Sequence, residues 1–204
     1  MLEEIHAGLK RYLETKRLGF PRFFFLSDEE LLEILAETRE PRKVQSHLAK
    51  VFEGINKVKF QGKDTELEIV AMISKKSEEV YLTEPVDPLA FGSGAVEKWL
   101  KLLETVMWSS IRAEVQVAFE QYDEDRREDW LLERAAQVSL NVNQAIWTRE
   151  AEVALRSGGK GGLEEFAVKM ENQQDAIISL VRGQLTKLAR SSLGALLVID
   201  VHAR

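Results

Sequence analysis

Cysteine is absent from the 204 residues. That excludes disulfides, thiolate metal sites and cysteine nucleophiles, and it fits a reducing compartment. Histidine is nearly absent too. His6, His47 and His202 are the three, and they form neither an HExxH motif nor a spaced metal pair, so no transition-metal site is expected. His47 is read as a polar residue on or between helices, and His202 as a partner for Asp200 or a bystander near the chain end. No run of about 18 apolar residues occurs, and "GALLVIDV" (194–201) is short and interrupted by Asp200. The first residues, MLEEIHAGLK, carry acids where a signal peptide would carry bases, so nothing points to export. The net charge of −6 argues against a general nucleic-acid surface.

Two familiar chemistries are also missing. "SGGKGG" (157–162) lacks the GxxxxGK[ST] spacing that closes amides and a lysine around phosphates, and it reads as a flexible loop. No serine sits in a GxSxG elbow. Acids are plentiful at Glu29–Glu30, Glu78–Glu79 and from Asp123 to Asp125. Nothing marks one of them as a general base, so they read as solvated faces and turns.

What remains is helical periodicity. Leu2, Ile5, Leu9, Tyr12 and Leu13 define a helix over 2–17, broken by Gly19 and Pro21. Proline disfavours the helical region for the residue before it, so Phe20 should be extended. Ser27-Asp28-Glu29-Glu30 is a capping box, with Leu26 and Leu31 placed to form a hydrophobic staple. A shorter helix is expected over 41–54, starting at Pro41 and ending at Gly54. Alternation then takes over. Strands are expected at 55–60, 65–73 and 78–82, with turns at 61–64 and 74–77, forming a small antiparallel meander that must pack on the main body. A connector (83–94) leads to a helix over 95–121, a charged break at 122–129, and two further long helical regions. The first starts at Trp130 and reaches Leu155; the second starts at Leu163 and is read onward through 192–204. The expected class is mainly α, an elongated helical bundle with a small antiparallel β insert. The expected divisions are 1–54, 55–82 and 83–204.

The aromatic cluster "GFPRFFFLSDEELLEIL" (19–35) is the sharpest local feature. Phe20, Phe23, Phe24 and Phe25 are read first as packing wedges beside the capped helix, each burying roughly 1.5–3 kcal/mol of apolar surface. On that reading, Phe24→Ala disrupts packing near 28–35. An exposed ring serving as a binding platform and a small-molecule pocket stay open as alternatives. Trp99, Trp108, Trp130 and Trp147 all fall on the long helices, and Trp147 is read as packing or docking.

The stretches "GFPRFFFLSDEELLEIL" (19–35), "VQSHLAKVFEGI" (44–55), "GAVEKWL" (94–100), "QAIWTREAEVAL" (144–155) and "LVRGQLTKLARSSLGALLVIDVHAR" (180–204) together resemble the linker region of dynein heavy chains, axonemal more than cytoplasmic. The resemblance implies a noncatalytic, cofactor-free arch segment that converts ATP-driven changes of a six-module AAA+ ring into movement along a microtubule. Its implied partners are the AAA+ ring of the same heavy chain, the dynein tail and associated chains indirectly, and the microtubule only through the full-length motor. Neither nucleic acid nor membrane is implied. The implied location is the cytoplasm and cytoskeleton, in a cilium or flagellum axoneme. Residues 83–94 and 157–162 become candidate sites of compliance, and 55–82 a candidate ring-facing or subdomain-bridging surface. The alternative is a helical adaptor or scaffold that binds another protein without nucleotide-coupled movement; an independent enzyme comes third.

Overall fold

The computed structural model describes residues 1–63, 66–92, 94–123 and 127–203. The expected strand start at Thr65, the turn residue Asp64, Ser93 of the connector and the acids at 124 and 125 lie outside the described residues. The chain divides into two compact units, Met1–Ser110 and Ile111–Arg204.

In the first unit, α1 (Leu2–Gly19) ends where expected. Phe20 is extended, at φ −142° and ψ 96°, ahead of a 3₁₀ turn over Pro21–Phe25. Helix α2 (Asp28–Ala36) starts on a complete capping box: the Glu30 amide donates to Ser27 Oγ (3.2 Å) and the Ser27 amide to Glu30 Oε2 (3.0 Å). Leu26 and Leu31, the staple pair, are both buried.

The single helix expected over 41–54 is instead a stepped run. Helix α3 (Pro41–Val44) passes through a 3₁₀ turn (Gln45–His47) into α4 (Leu48–Val51). Its end comes before Gly54 because Phe52 turns extended and buries its ring 6.0 Å from that of Phe20. At the tightened step, Gln45 Oε1 accepts the Val58 amide (3.0 Å), tying the run to the sheet.

The sheet is the expected meander. Strands β1 (Lys57–Gln61), β2 (Glu68–Ile73) and β3 (Glu79–Val86) lie antiparallel in the order β1-β2-β3. Lys59, Ala71 and Tyr81 are in register across it. The small Ala71 lets Lys59 reach over the middle strand, where Nζ meets Glu79 Oε1 (2.6 Å) and the Tyr81 hydroxyl (2.9 Å). Strand β3 runs past residue 82 and takes four residues from the expected connector. There the Thr83 amide donates to Ser110 Oγ (2.9 Å), a fully buried hydroxyl that itself donates to the Val106 carbonyl.

Helix α5 (Val96–Glu120) buries Trp99, Leu100, Leu103 and Val106 on one face in the first unit, while Trp108 is exposed. Two ion pairs fasten that face to the N-terminal segment. Lys16 Nζ lies 2.8 Å from Glu97 Oε1 and also donates to the Gly94 carbonyl, and Arg22 Nε lies 2.5 Å from Glu104 Oε1.

The regular secondary structure among the second unit's described residues is all helical. Helix α6 (Arg127–Glu133) stops at an extended Ala135, so the region expected to run unbroken from Trp130 to Leu155 is two helices. The break lets the Trp130 indole donate to the Ala118 carbonyl (3.1 Å). Helix α7 (Ala136–Arg182) doubles back at Gly159, whose φ of 54° and ψ of −127° are the only non-helical values within it. The expected loop over 157–162 is therefore a one-residue reversal between two helical arms. Close approach explains Gly162, where a Cβ would sit 2.3 Å from the Ala154 carbonyl oxygen. The arms also meet through Trp147 and Phe166 (5.9 Å between rings) and through Glu150 and Lys169 (2.9 Å).

The last expected helix also divides. Gly183 ends the second arm, and Thr186 caps α8 (Lys187–His202) by accepting the Ala189 amide. Trp130, Leu131, Val138, Val142, Ile146, Ile177, Leu193 and Leu196 form this unit's core. From 147 to 173 no side chain is fully buried, so the far part of the hairpin stands on two helices alone.

Candidate docking surface

The 3₁₀ geometry sorts the phenylalanines. Side chains three apart eclipse one another in such a turn, and Phe20, Phe23 and Leu26 accordingly point into the core. Phe20 and Phe23 pack edge to face at 5.1 Å. Phe24 and Phe25 fall on the other side and are 57% and 80% exposed. Phe20 and Phe23 thus lie in the core and Phe24 and Phe25 at the surface, so the core role expected for Phe24 is corrected by its exposure.

The turn is held from behind. Arg17 Nε donates to the Phe23 carbonyl (3.3 Å), Nη2 to the Leu26 carbonyl (3.0 Å), and Nη1 pairs with Asp28 (2.7 Å). These bonds bracket Phe24 and Phe25 on both sides. Arg22 lies over the Phe52 ring (5.2 Å) while paired with Glu104, so the start of the turn is fixed as well. The outcome is two large apolar side chains presented to solvent on restrained backbone. Sequence reasoning found the phenylalanines but missed Arg17, whose only signal is a cation one residue ahead of Leu18 and ten ahead of the capping box.

Trp147 is half-buried and lines a narrow cleft in the second unit with Arg127, Asn143, Gln174 and Asp200. Asp200 does not pair with His202, which is exposed. It pairs instead with Arg127 (3.2 Å) and accepts from Asn143 Nδ2 (3.0 Å). Burial holds the Asp200 carboxyl above its ordinary range, with Arg127 and Asn143 pulling it back only in part.

The other sequence candidates are dispersed. Glu30 pairs with Lys50 (2.7 Å) and Glu79 with Lys59, and those lysines hold both carboxyls below their usual range. Lys160 reaches only toward Glu164 on its own arm. His47 is nearly buried, 3.6 Å from Glu37. Among the described residues no group of three or more histidines and carboxylates could hold a metal ion, and no helix is long and apolar enough to cross a membrane.

Fold and surface together define a mainly helical module that presents aromatic side chains on restrained backbone. The chain belongs to the dynein heavy chain family: the family model described as "Dynein heavy chain, N-terminal region 2" matches residues 1–118. All 204 residues align with human dynein axonemal heavy chain 12 at 47% identity, covering 6% of that protein. Mouse dynein axonemal heavy chain 3 is 48% identical and mouse dynein axonemal heavy chain 1 is 40% identical, each over the whole chain and 5% of the relative. The chain thus spans about one-twentieth of the length of these relatives and corresponds to their N-terminal, linker region.

Proposed function

We propose that this chain is a noncatalytic mechanical segment of an axonemal dynein motor. It passes conformational change in an AAA+ ring of the same heavy chain into movement along a microtubule. The ring is its direct partner; the tail, associated chains and microtubule are reached only through the whole motor. Its setting is the cytoskeleton of a cilium or flagellum. The names of the relatives given above, axonemal heavy chains, support that setting.

One observation carries the reading: Phe24 and Phe25 are exposed while Arg17 fixes the turn on either side of them. A backbone already held in place loses little freedom on binding, so exposed aromatics carried on it make effective anchors. The two phenylalanines would dock on the ring in one nucleotide state and leave it in another. The switch then needs only a difference in affinity between states.

Binding of this chain to a linker-deleted dynein AAA+ ring tests the reading in nucleotide-free, ATP-like and ADP states. Affinity should change with nucleotide and fall at least about tenfold on Phe24→Ala/Phe25→Ala, as loss of an aromatic anchor does. Equal affinity in every state would overturn nucleotide-coupled docking and favour an adaptor role.

A further inference from the structure

The end of α8 is attached unlike the rest of the helix. Leu193 and Leu196 anchor its middle in the core of the second unit. Beyond them no apolar side chain of α8 is fully buried, and Val198 and Val201 are more than half exposed. Leu197 still packs on the edge of that core, and the polar hold on the last turns is Asp200. Its carboxylate accepts from Arg127 Nη2 (3.2 Å) on α6 and from Asn143 Nδ2 (3.0 Å) on the first arm of α7. Its main-chain carbonyl accepts from Gln174 Nε2 (3.0 Å) on the second arm. Arg127 Nη2 also donates to Asn143 Oδ1 (2.7 Å), so the charge and the amide support each other. One residue of α8 is thereby tied to three separate helical segments.

We propose that Arg127, Asn143, Gln174 and Asp200 form a polar latch that makes the end of α8 a two-state element, docked on the α6–α7 base or released from it. The latch is independent of the phenylalanine turn and lies wholly within the second unit.

Three features separate a latch from ordinary packing. First, it is polar where apolar contacts would hold more firmly: a buried ion pair recovers little more than its desolvation cost, and apolar replacements of similar volume often hold as well or better. Second, it is incompletely satisfied. Arg127 is 3% exposed, yet Nε and Nη1 have no hydrogen-bond partner among the described residues. Buried donors left unused lower the cost of leaving the docked state, because solvent satisfies them on release. Third, water has a way in. The cleft beside these groups, lined also by Trp147 and Met170, holds ≈ 10 Å³, room for one water. Release uncovers the half-buried Leu197 and Ile199 but no fully buried apolar side chain.

Amide hydrogen exchange on the 204-residue chain tests this. In the parent protein, 197–203 should be protected beyond ordinary helix-end fraying. Gln174→Leu, which removes only the bond to the Asp200 carbonyl, should speed exchange there a few-fold. Asp200→Ala should speed it about tenfold or more, the equivalent of one charge-assisted bond. Neither should alter exchange in the hairpin base around Val142 or in the first unit. Arg127→Met/Asp200→Leu, which exchanges the latch for apolar contact, should restore protection to at least the parent level. The proposal is overturned if the single variants change nothing, or if they speed exchange evenly through 127–203, the mark of a merely structural cluster. It is also overturned if the double variant is as open as Asp200→Ala.

Discussion

Phe20 and Phe23 meet edge to face, ring centroids 5.1 Å apart and planes at 87°, and both are wholly buried. Phe24, the next residue, contributes a ring of the same size to the surface. The contrast separates buried from exposed rings within a single turn.

Phe23→Ala should therefore lower stability by about 3–5 kcal/mol, the range for an aromatic removed from a core. Phe24→Ala should stay within about 0.5 kcal/mol of the parent, as surface substitutions do. Urea unfolding of both variants checks the pair. A Phe24→Ala loss comparable to that of Phe23→Ala would put both rings in the core.

Ser27 supplies half of the capping box. Ser27→Ala should cost about 1 kcal/mol, since the Glu30 amide loses its acceptor. Because the Glu30 side chain also receives Lys50, the loss should deepen in Ser27→Ala/Lys50→Met, where of these partners only the residue-27 backbone amide still orients that carboxylate. Thermal denaturation of the single and double variants reads this directly.

The hairpin reversal distinguishes adjacent glycines. Gly159 has φ 54°, so Gly159→Ala should cost about 1–2 kcal/mol. Gly158 has ordinary helical backbone and open space where a Cβ would go, so Gly158→Ala should be neutral or stabilising by about 0.5–1 kcal/mol. Circular dichroism melts that shifted both variants equally would contradict a reversal confined to one residue.

Asp200 gives a pH signature. Its carboxyl lies above the ordinary 3.8 because burial disfavours the ionised form. The native state therefore binds this proton more tightly than the unfolded chain does. The stability it contributes is complete below the ordinary value and is lost as pH rises through the raised one. Asp200→Asn stays neutral throughout, so its stability relative to the parent should climb with pH across that window and then level off. Surface carboxylates such as Glu30 and Glu79 titrate in both proteins and cancel in the difference. Urea titrations from about pH 3 to pH 7 measure it; a flat difference would mean that burial does not raise this carboxyl.

Local signals in the sequence were readable where one residue decides the backbone. Pro21 forces Phe20 out of the helix, Ser27 and Glu30 start α2, and alternation marks the three strands. The signal failed where tertiary packing decides. No glycine or proline announces the break before Ala135; the chain breaks there and Trp130 reaches the Ala118 carbonyl. Helix 41–54 stops early because Phe52 is drawn toward Phe20, a partner 32 positions away. The four glycines of 157–162 look like slack in the chain, yet two of them, Gly159 by its backbone angles and Gly162 by close approach, permit a tight fold-back. At the candidate surface, composition revealed the phenylalanines but not which of them faced outward, since that follows from the three-residue period of a 3₁₀ turn. The Asp200 cluster joins residues from α6, both arms of α7 and α8, so no spacing along the chain could disclose it.

The hairpin of α7 has a mechanical consequence. Each arm, 136–158 and 160–182, extends about 35 Å at helical rise, while its buried side chains lie only near the base. A tilt of about 10° at that base would carry the Gly159 tip about 6 Å sideways, several times the displacement of the core residues themselves. Small repacking around Val142 and Ile177 would thus be amplified with distance, as a pointer magnifies the turn of its pivot.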